Sequence, residues 1–309
     1  MGKGTVAYFP RLKGTDWVTD YHVKNLSRHG YAINRCKNYK PWLRSLDTAV
    51  ATVVSMRGLR DANTRRNPIW REYHTELRKR SRLLIISDAG DRNTLYLPGE
   101  FYGTSDFVFK KLLCSDRSLY DRDGFRLTTP AFHLPTPAIR AAPNRGVIRK
   151  DVFFYGRNSC KRATGHHDPS ELNHRVEMIR MANSLTGVRS ACAFRQAGYS
   201  TYCAHLAGAR VALCPRGLGE WTNRHPEALR AGTFVISSPI SHLEFSTGWQ
   251  KGVHYEEVSE DLSDFEELVR RALNDEPYRR RIAEAARTNY AKQFTPARMY
   301  ELTWEKVGL

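Results

Sequence analysis

Short apolar runs bounded by Gly, Pro or charged residues alternate along the chain with longer stretches whose apolar positions recur every three to four residues. In the first half, Thr5–Phe9, Tyr31–Cys36, Ala49–Val54 and Leu83–Ser87 read as buried strands. A helix is predicted over Trp17–Arg28, capped by Thr15 or Asp16 and ended by Gly30, and another over Pro68–Arg80, where Ile69, Tyr73 and Leu77 share a face. In the second half, Asp151–Tyr155, Val211–Cys214 and Phe234–Ser237 read as strands and His254–Val258 as a short edge strand. Helices are predicted over Pro169–Ser184, Tyr199–Ala207, Leu262–Tyr290 with a restart at Pro277, and Phe294–Lys306. Strands alternating with helices predict parallel α/β layers. Residues 92–145 are less regular and rich in Pro and Gly, with Tyr96, Phe101 and Tyr102 interleaved among basic residues; they read as a loop-rich core that packs its own aromatics, or as a face for unstacked bases or sugar rings. Pro135–Arg149 reads as an interdomain linker.

The densest chemistry falls between two of these strands, in VALCPRGLGEWTNRHPEALRAGTFVISSP, residues 211–239. Pro215-Arg216-Gly217-Leu218-Gly219 breaks the first strand, Thr222 or Asn223 opens a helix with Pro226 in its first turn, and Gly232 closes it. A loop from a strand end into a helix N-terminus presents free N–H groups and a positive dipole end, which suits phosphate. Arg216 and Arg224 flank that point with forked donors, and Glu227 stands on the first helical turn, where a carboxylate accepts from ribose hydroxyls. Glu220 lies seven residues before Glu227.

This stretch resembles the nucleotide-sugar site of GT-B glycosyltransferases, especially the exostosin-like group. The resemblance is carried by Arg224, Glu227, Ala228, Leu229, Gly232 and Val235, and runs more weakly over Asp151–Phe294. It implies two Rossmann-like α/β domains facing a cleft. It puts Glu227 on the ribose, and Arg224 and Arg157 on the diphosphate. Gly217 sits in the binding loop, with Ser200 and Tyr202 lining the sugar pocket. The implied donor is a nucleotide-sugar, a UDP-sugar first, without a tightly bound metal. The expected domains are 1–145 for the acceptor and 146–290 for the donor, with 291–309 a helix crossing back to the first. An inverting reaction needs a base on the first domain, for which Asp88 and Asp16 are the candidates, Asp88 preferred.

Charge changes the picture of the acceptor. The net charge is +17, and residues 1–150 carry 28 Lys and Arg against 13 Asp and Glu. A field this uneven attracts polyanions to one half of the chain. Arg57, Arg60, Arg65, Arg66 and Arg71 concentrate it, and DNA with hydroxylated bases, as modified by bacteriophage enzymes, is the sharpest acceptor expectation. An anionic polysaccharide or lipid-linked glycan is the alternative, and a non-catalytic nucleic-acid-binding protein of GT-B fold a third reading. No apolar run is long enough for a membrane span, and the first residues lack a signal-peptide core. The six cysteines form no CxxC pair, so reduced thiols and a cytoplasmic monomer, in a bacterial or phage-infected cell, are expected. His166-His167-Asp168 lacks helical ligand spacing and is not read as a metal site.

Overall fold

The computed structural model describes residues 2–9, 16–35, 46–55, 69–89, 102–120, 128–138, 150–156, 169–217 and 219–309; for 69–74, 119 and 169–172 it describes the backbone alone. The chain divides into two compact units. The first is Met1–Pro135 with Leu243–Ser246 and Thr295–Leu309, and the second is Thr136–His242 with Thr247–Phe294.

In the first unit the strands are β1 (Gly4–Phe9), β2 (Tyr31–Arg35), β3 (Ala51–Ser55), β4 (Leu84–Asp88), β5 (Phe107–Lys110) and β6 (Ala131–His133). They form one sheet in the order β2-β1-β3-β4-β5-β6, and every neighbouring pair is parallel. Helix α1 (Trp17–Arg28) links β1 to β2 and buries Val18, Val23 and Leu26 against Val6, Tyr8 and Val53. Helix α2 (Ile69–Arg80) precedes β4. The sequence signal for β5 and β6 is weak: they are four and three residues long, set among Gly and Pro, and parallel pairing to β4 and β5 makes them strands.

The second unit holds β7 (Lys150–Tyr155), α3 (Pro169–Ser184), β8 (Ser190–Ala193), α4 (Tyr199–Gly208), β9 (Ala209–Cys214), α5 (Arg224–Ala231), β10 (Phe234–Ser237), β11 (Glu256–Glu257), α6 (Phe265–Asn274) and α7 (Glu276–Gln293). Its sheet is also parallel, ordered β11-β10-β9-β7-β8. Met178, Ile179, Val269 and Ile282 from three helices fill its core against Val152, Val211 and Ile236. Gly232 ends α5 with φ of 68°, a left-handed value that a Cβ disfavours. The small residues of β8, Ser-Ala-Cys-Ala, carry little strand signal alone.

The two units divide at 135/136, and 243–246 returns to the first unit. That return is built by a Cys114–Leu243 bridge and by the Glu244 N–H donating to Leu113 O at 2.7 Å. The last helix, α8 (Pro296–Leu302), and the turn after it put Tyr300, Trp304, Val307 and Leu309 into the first unit's core. Trp304 Nε1 donates to His22 O at 2.8 Å, and its ring meets Phe109 edge-on at 5.4 Å.

Candidate functional site

In both sheets the strand order reverses direction beside the first strand of the unit: at β1 and β3 in one, at β7 and β9 in the other. Open parallel sheets bind ligands outside the carboxyl ends of the strands at such a switch point.

In the second unit that point lies between Tyr155-Gly156 and Cys214-Pro215, and the 211–239 stretch converges on it. The Arg224 guanidinium sits 4.6 Å above the Phe154 ring. It occupies the space that a side chain at residue 156 would take: a Cβ on Gly156 would lie 2.7 Å from Arg224 Nη2 and 2.7 Å from Phe154 Cζ. Glycine at 156 therefore allows the arginine to lie flat along the strand end. Arg224 Nη1 also donates to Thr222 Oγ1 at 3.4 Å. Asn223, flanking the first turn of α5, makes no side-chain cap bond; in that turn the His225 N–H donates to Thr222 O at 3.1 Å and Pro226 has no N–H to offer.

One turn on, Glu227 is only 7% exposed, and its Oε1 accepts from the Tyr199 hydroxyl at 3.1 Å. Burial pushes the Glu227 carboxyl above the usual carboxylate range, against the opposing pull of the Tyr202 and Tyr199 hydroxyls and the Arg224 guanidinium. Trp221 stacks on His225 at 4.5 Å, and His225 Nε2 bonds Ser237 Oγ at 2.8 Å, which fixes the loop to β10.

The loop after β9 is fixed from both sides. The Arg216 N–H donates to Ser238 Oγ at 2.8 Å, and Arg216 O accepts from Arg175 Nε at 2.6 Å. A Cβ on Gly217 would fall 2.0 Å from Arg175 Nη2, so that glycine admits the buried Arg175 head against the backbone. The Arg216 guanidinium, 13% exposed, pairs with Glu260. His174 is buried, its Nδ1 3.3 Å from Ser238 Oγ; burial lowers its pKa, and the Arg216 charge lowers it further.

Arg216, Gly217, Arg224, Glu227 and Tyr202 thus share the strand ends or the helices around them. Ser200 does not share the tyrosine face: it is exposed on the first turn of α4. Its neighbour Tyr199 meets the carboxylate instead, because residues three apart, 199 and 202, lie on one face of that helix. Glu220, 16% exposed, pairs with His242 at 3.1 Å and raises the His242 pKa. Arg157, Arg57, Arg60, Arg65, Arg66, Tyr96, Phe101 and His166-His167-Asp168 lie outside the described residues, and Arg71 falls where only the α2 backbone is described. Among the described residues, no three His, Cys, Asp or Glu come together to hold a metal, and no helix is long and apolar enough to cross a membrane.

The first unit holds the two carboxylates expected to serve as the base. Asp88 is fully buried at the end of β4, where Oδ2 receives Lys110 Nζ at 3.0 Å and the Tyr102 hydroxyl at 3.1 Å. A base has to reach the acceptor's proton, and this carboxylate faces a buried ammonium. Asp16 is the N-cap of α1: Oδ1 accepts from the Thr19 N–H, and Oδ2 from Thr19 Oγ1 at 2.8 Å and from Ser55 Oγ. Both carboxylates hold the strand ends together. Tyr102 is buried, with its hydroxyl bonded to Asp88.

Residues 175–303 match the model of a family described as glycosyl transferase-like. The structure of Anabaena HepE in complex with UDP is similar with a TM-score of 0.64 at 9% identity, over 99% of this chain and 99% of that one. Sucrose-phosphate synthase from Thermosynechococcus elongatus is similar with a TM-score of 0.57 at 11% identity, over 99% and 100%. The fold is GT-B. Two parallel Rossmann-like units are what that fold name describes, and both are present here. No curated protein matches the chain in sequence. The residues matched by the glycosyl transferase-like family model include Arg175, Arg216 and the arginine and glutamate of α5, and lie mostly in the unit that carries the site geometry.

Proposed function

We propose that the protein is a glycosyltransferase that takes its sugar from a UDP-sugar. The observation that carries this reading is the pairing, at the switch point of the second sheet, of an arginine lying over a strand end with a buried glutamate one turn further on. The arginine suits the diphosphate, and the carboxylate suits the two ribose hydroxyls. Transfer breaks the bond between the anomeric carbon and the diphosphate oxygen, so charge builds on the leaving UDP. Fixed cations stabilise that charge best where water is sparse. Arg224, Arg216 and Arg157 are assigned to this task. The family match over 175–303 and the similarity to a structure holding UDP support the donor class.

The acceptor is assigned to the first unit on charge. With residues 1–150 carrying 28 basic against 13 acidic side chains, a polyanion is the favoured acceptor class, and hydroxylated bases in DNA are the first candidate. Asp88 and Asp16 are given no proton transfer. The test is transfer of labelled sugar from UDP-sugars to DNA bearing hydroxymethylated pyrimidines, beside unmodified DNA and anionic glycans. Label on the hydroxymethylated DNA supports the full reading. Label on glycans alone removes DNA and keeps the transferase. Label on none of them, with the donor unhydrolysed, removes the transferase.

A further inference from the structure

The side chain of Arg216 is held by a group that a donor diphosphate would replace. Its backbone is immobilised at both ends, by Ser238 Oγ on the N–H and by Arg175 Nε on the carbonyl. Its guanidinium is mostly buried and ion-paired with Glu260 through Nη2, while Nε is buried with no hydrogen-bond partner among the described residues. Glu260, by contrast, is 68% exposed. It stands in a short loop before α6, which Ser259 ties to Asp264 at 2.8 Å and Ser263 ties to Asp261 at 2.8 Å. The anchored partner is the arginine, and the partner able to leave into water is the carboxylate.

The location gives the pair its meaning. Arg216 follows β9, whose carboxyl end neighbours β7, where Arg224 lies over Gly156. A diphosphate bound where the ends of β7 and β9 lie side by side would be offered the Arg216 guanidinium as well as that of Arg224, and Glu260 would be a second anion at Arg216. Two anions sharing one arginine repel each other, and the exposed one costs least to displace. Nε supplies a donor beside Nη2, so a phosphate could take the arginine by a forked pair where Glu260 takes it through one nitrogen.

We infer that Glu260 is a stand-in anion that occupies Arg216 until the donor diphosphate displaces it, and so tunes donor affinity from outside the site. This rests on the nucleotide-sugar reading above. Glu260→Gln removes the competing charge with little change of shape at an exposed position. It should tighten UDP binding about twofold to fivefold at low salt, with the gain shrinking as salt rises. Arg216→Ala should weaken UDP binding, and in that background Glu260→Gln should change nothing.

The experiment is calorimetric titration of UDP and of inorganic pyrophosphate into wild type, both single variants and the double variant, with circular dichroism to confirm the fold. Tighter binding in Glu260→Gln that vanishes in the double variant supports the exchange. Unchanged or weaker binding in Glu260→Gln overturns it and leaves the nucleotide reading standing. If wild type takes up neither UDP nor pyrophosphate, the exchange falls together with that reading.

Discussion

The Tyr199 hydroxyl donates to Glu227 Oε1 at 3.1 Å, joining the first turn of α4 to the first turn of α5 across the ends of the strands between them. The bond helps keep a buried carboxylate ionised, because burial pushes Glu227 upward and the Tyr202 and Tyr199 hydroxyls pull it back. Tyr199→Phe removes one of those pulls, so the carboxyl should titrate at higher pH. UDP binding through the ionised carboxylate should then weaken about threefold to tenfold at pH values below the shifted titration and recover as the pH rises. Dissociation constants measured across pH for both proteins check this; parallel profiles would remove Tyr199 from the site.

Stability should move the other way from binding at Glu227. Its folded-state pKa is raised, so between the unfolded and the folded value the native state holds the extra proton, and stability falls as pH rises through that window. Above it the buried charge is a net cost. Glu227→Gln, close in shape and uncharged, should leave the melting temperature unchanged or higher at pH 8 while weakening UDP binding. A melting temperature lowered together with binding would mark Glu227 as a fold residue.

Gly156→Ala tests the seat of Arg224. The added Cβ would meet Arg224 Nη2 and Phe154 Cζ, each at 2.7 Å, and the arginine head is the part that can move. The variant should fold, lose the cation–π contact with Phe154, and bind UDP about tenfold more weakly, equivalent to about 1.4 kcal/mol. Unaltered affinity would show that this placement of Arg224 is not the one that binds.

Asp88 should behave as a structural residue. Asp88→Ala leaves the Lys110 ammonium buried without its carboxylate, which should cost about 3–5 kcal/mol of stability in a denaturant titration. A variant of normal stability whose sugar transfer alone has dropped would restore Asp88 as the base.

Much of this was legible before any coordinates. Trp17–Arg28, Pro169–Ser184 and Phe234–Ser237 have the predicted bounds, because capping residues and apolar spacing mark them locally. Strands β5, β6 and β8 were not legible, since short or small-residue segments become strands only through the partner beside them. At the site, the Arg224 and Glu227 positions follow from the strand–loop–helix pattern. Arg175 and Tyr199 do not, because each acts across the strand ends on a residue 41 or 28 positions away. For Tyr199 the signal was present: its three-residue spacing from Tyr202 puts both on one helical face, and Ser200 falls off it. Asp88 shows the opposite case, where a carboxylate at a strand end reads as accessible until its buried lysine partner, 22 residues on, is seen.

In the proposed function, Glu227 and Arg224 hold the nucleotide-sugar at the ends of β7 and β9. Calorimetric titration of UDP into wild type and Glu227→Ala tests it most directly. Wild type should bind UDP saturably and Glu227→Ala should lose about 2–4 kcal/mol, on the order of 30-fold to 1,000-fold in dissociation constant, with an unchanged circular dichroism spectrum. Equal affinity of the two proteins for UDP, or no uptake of UDP by wild type, would contradict it.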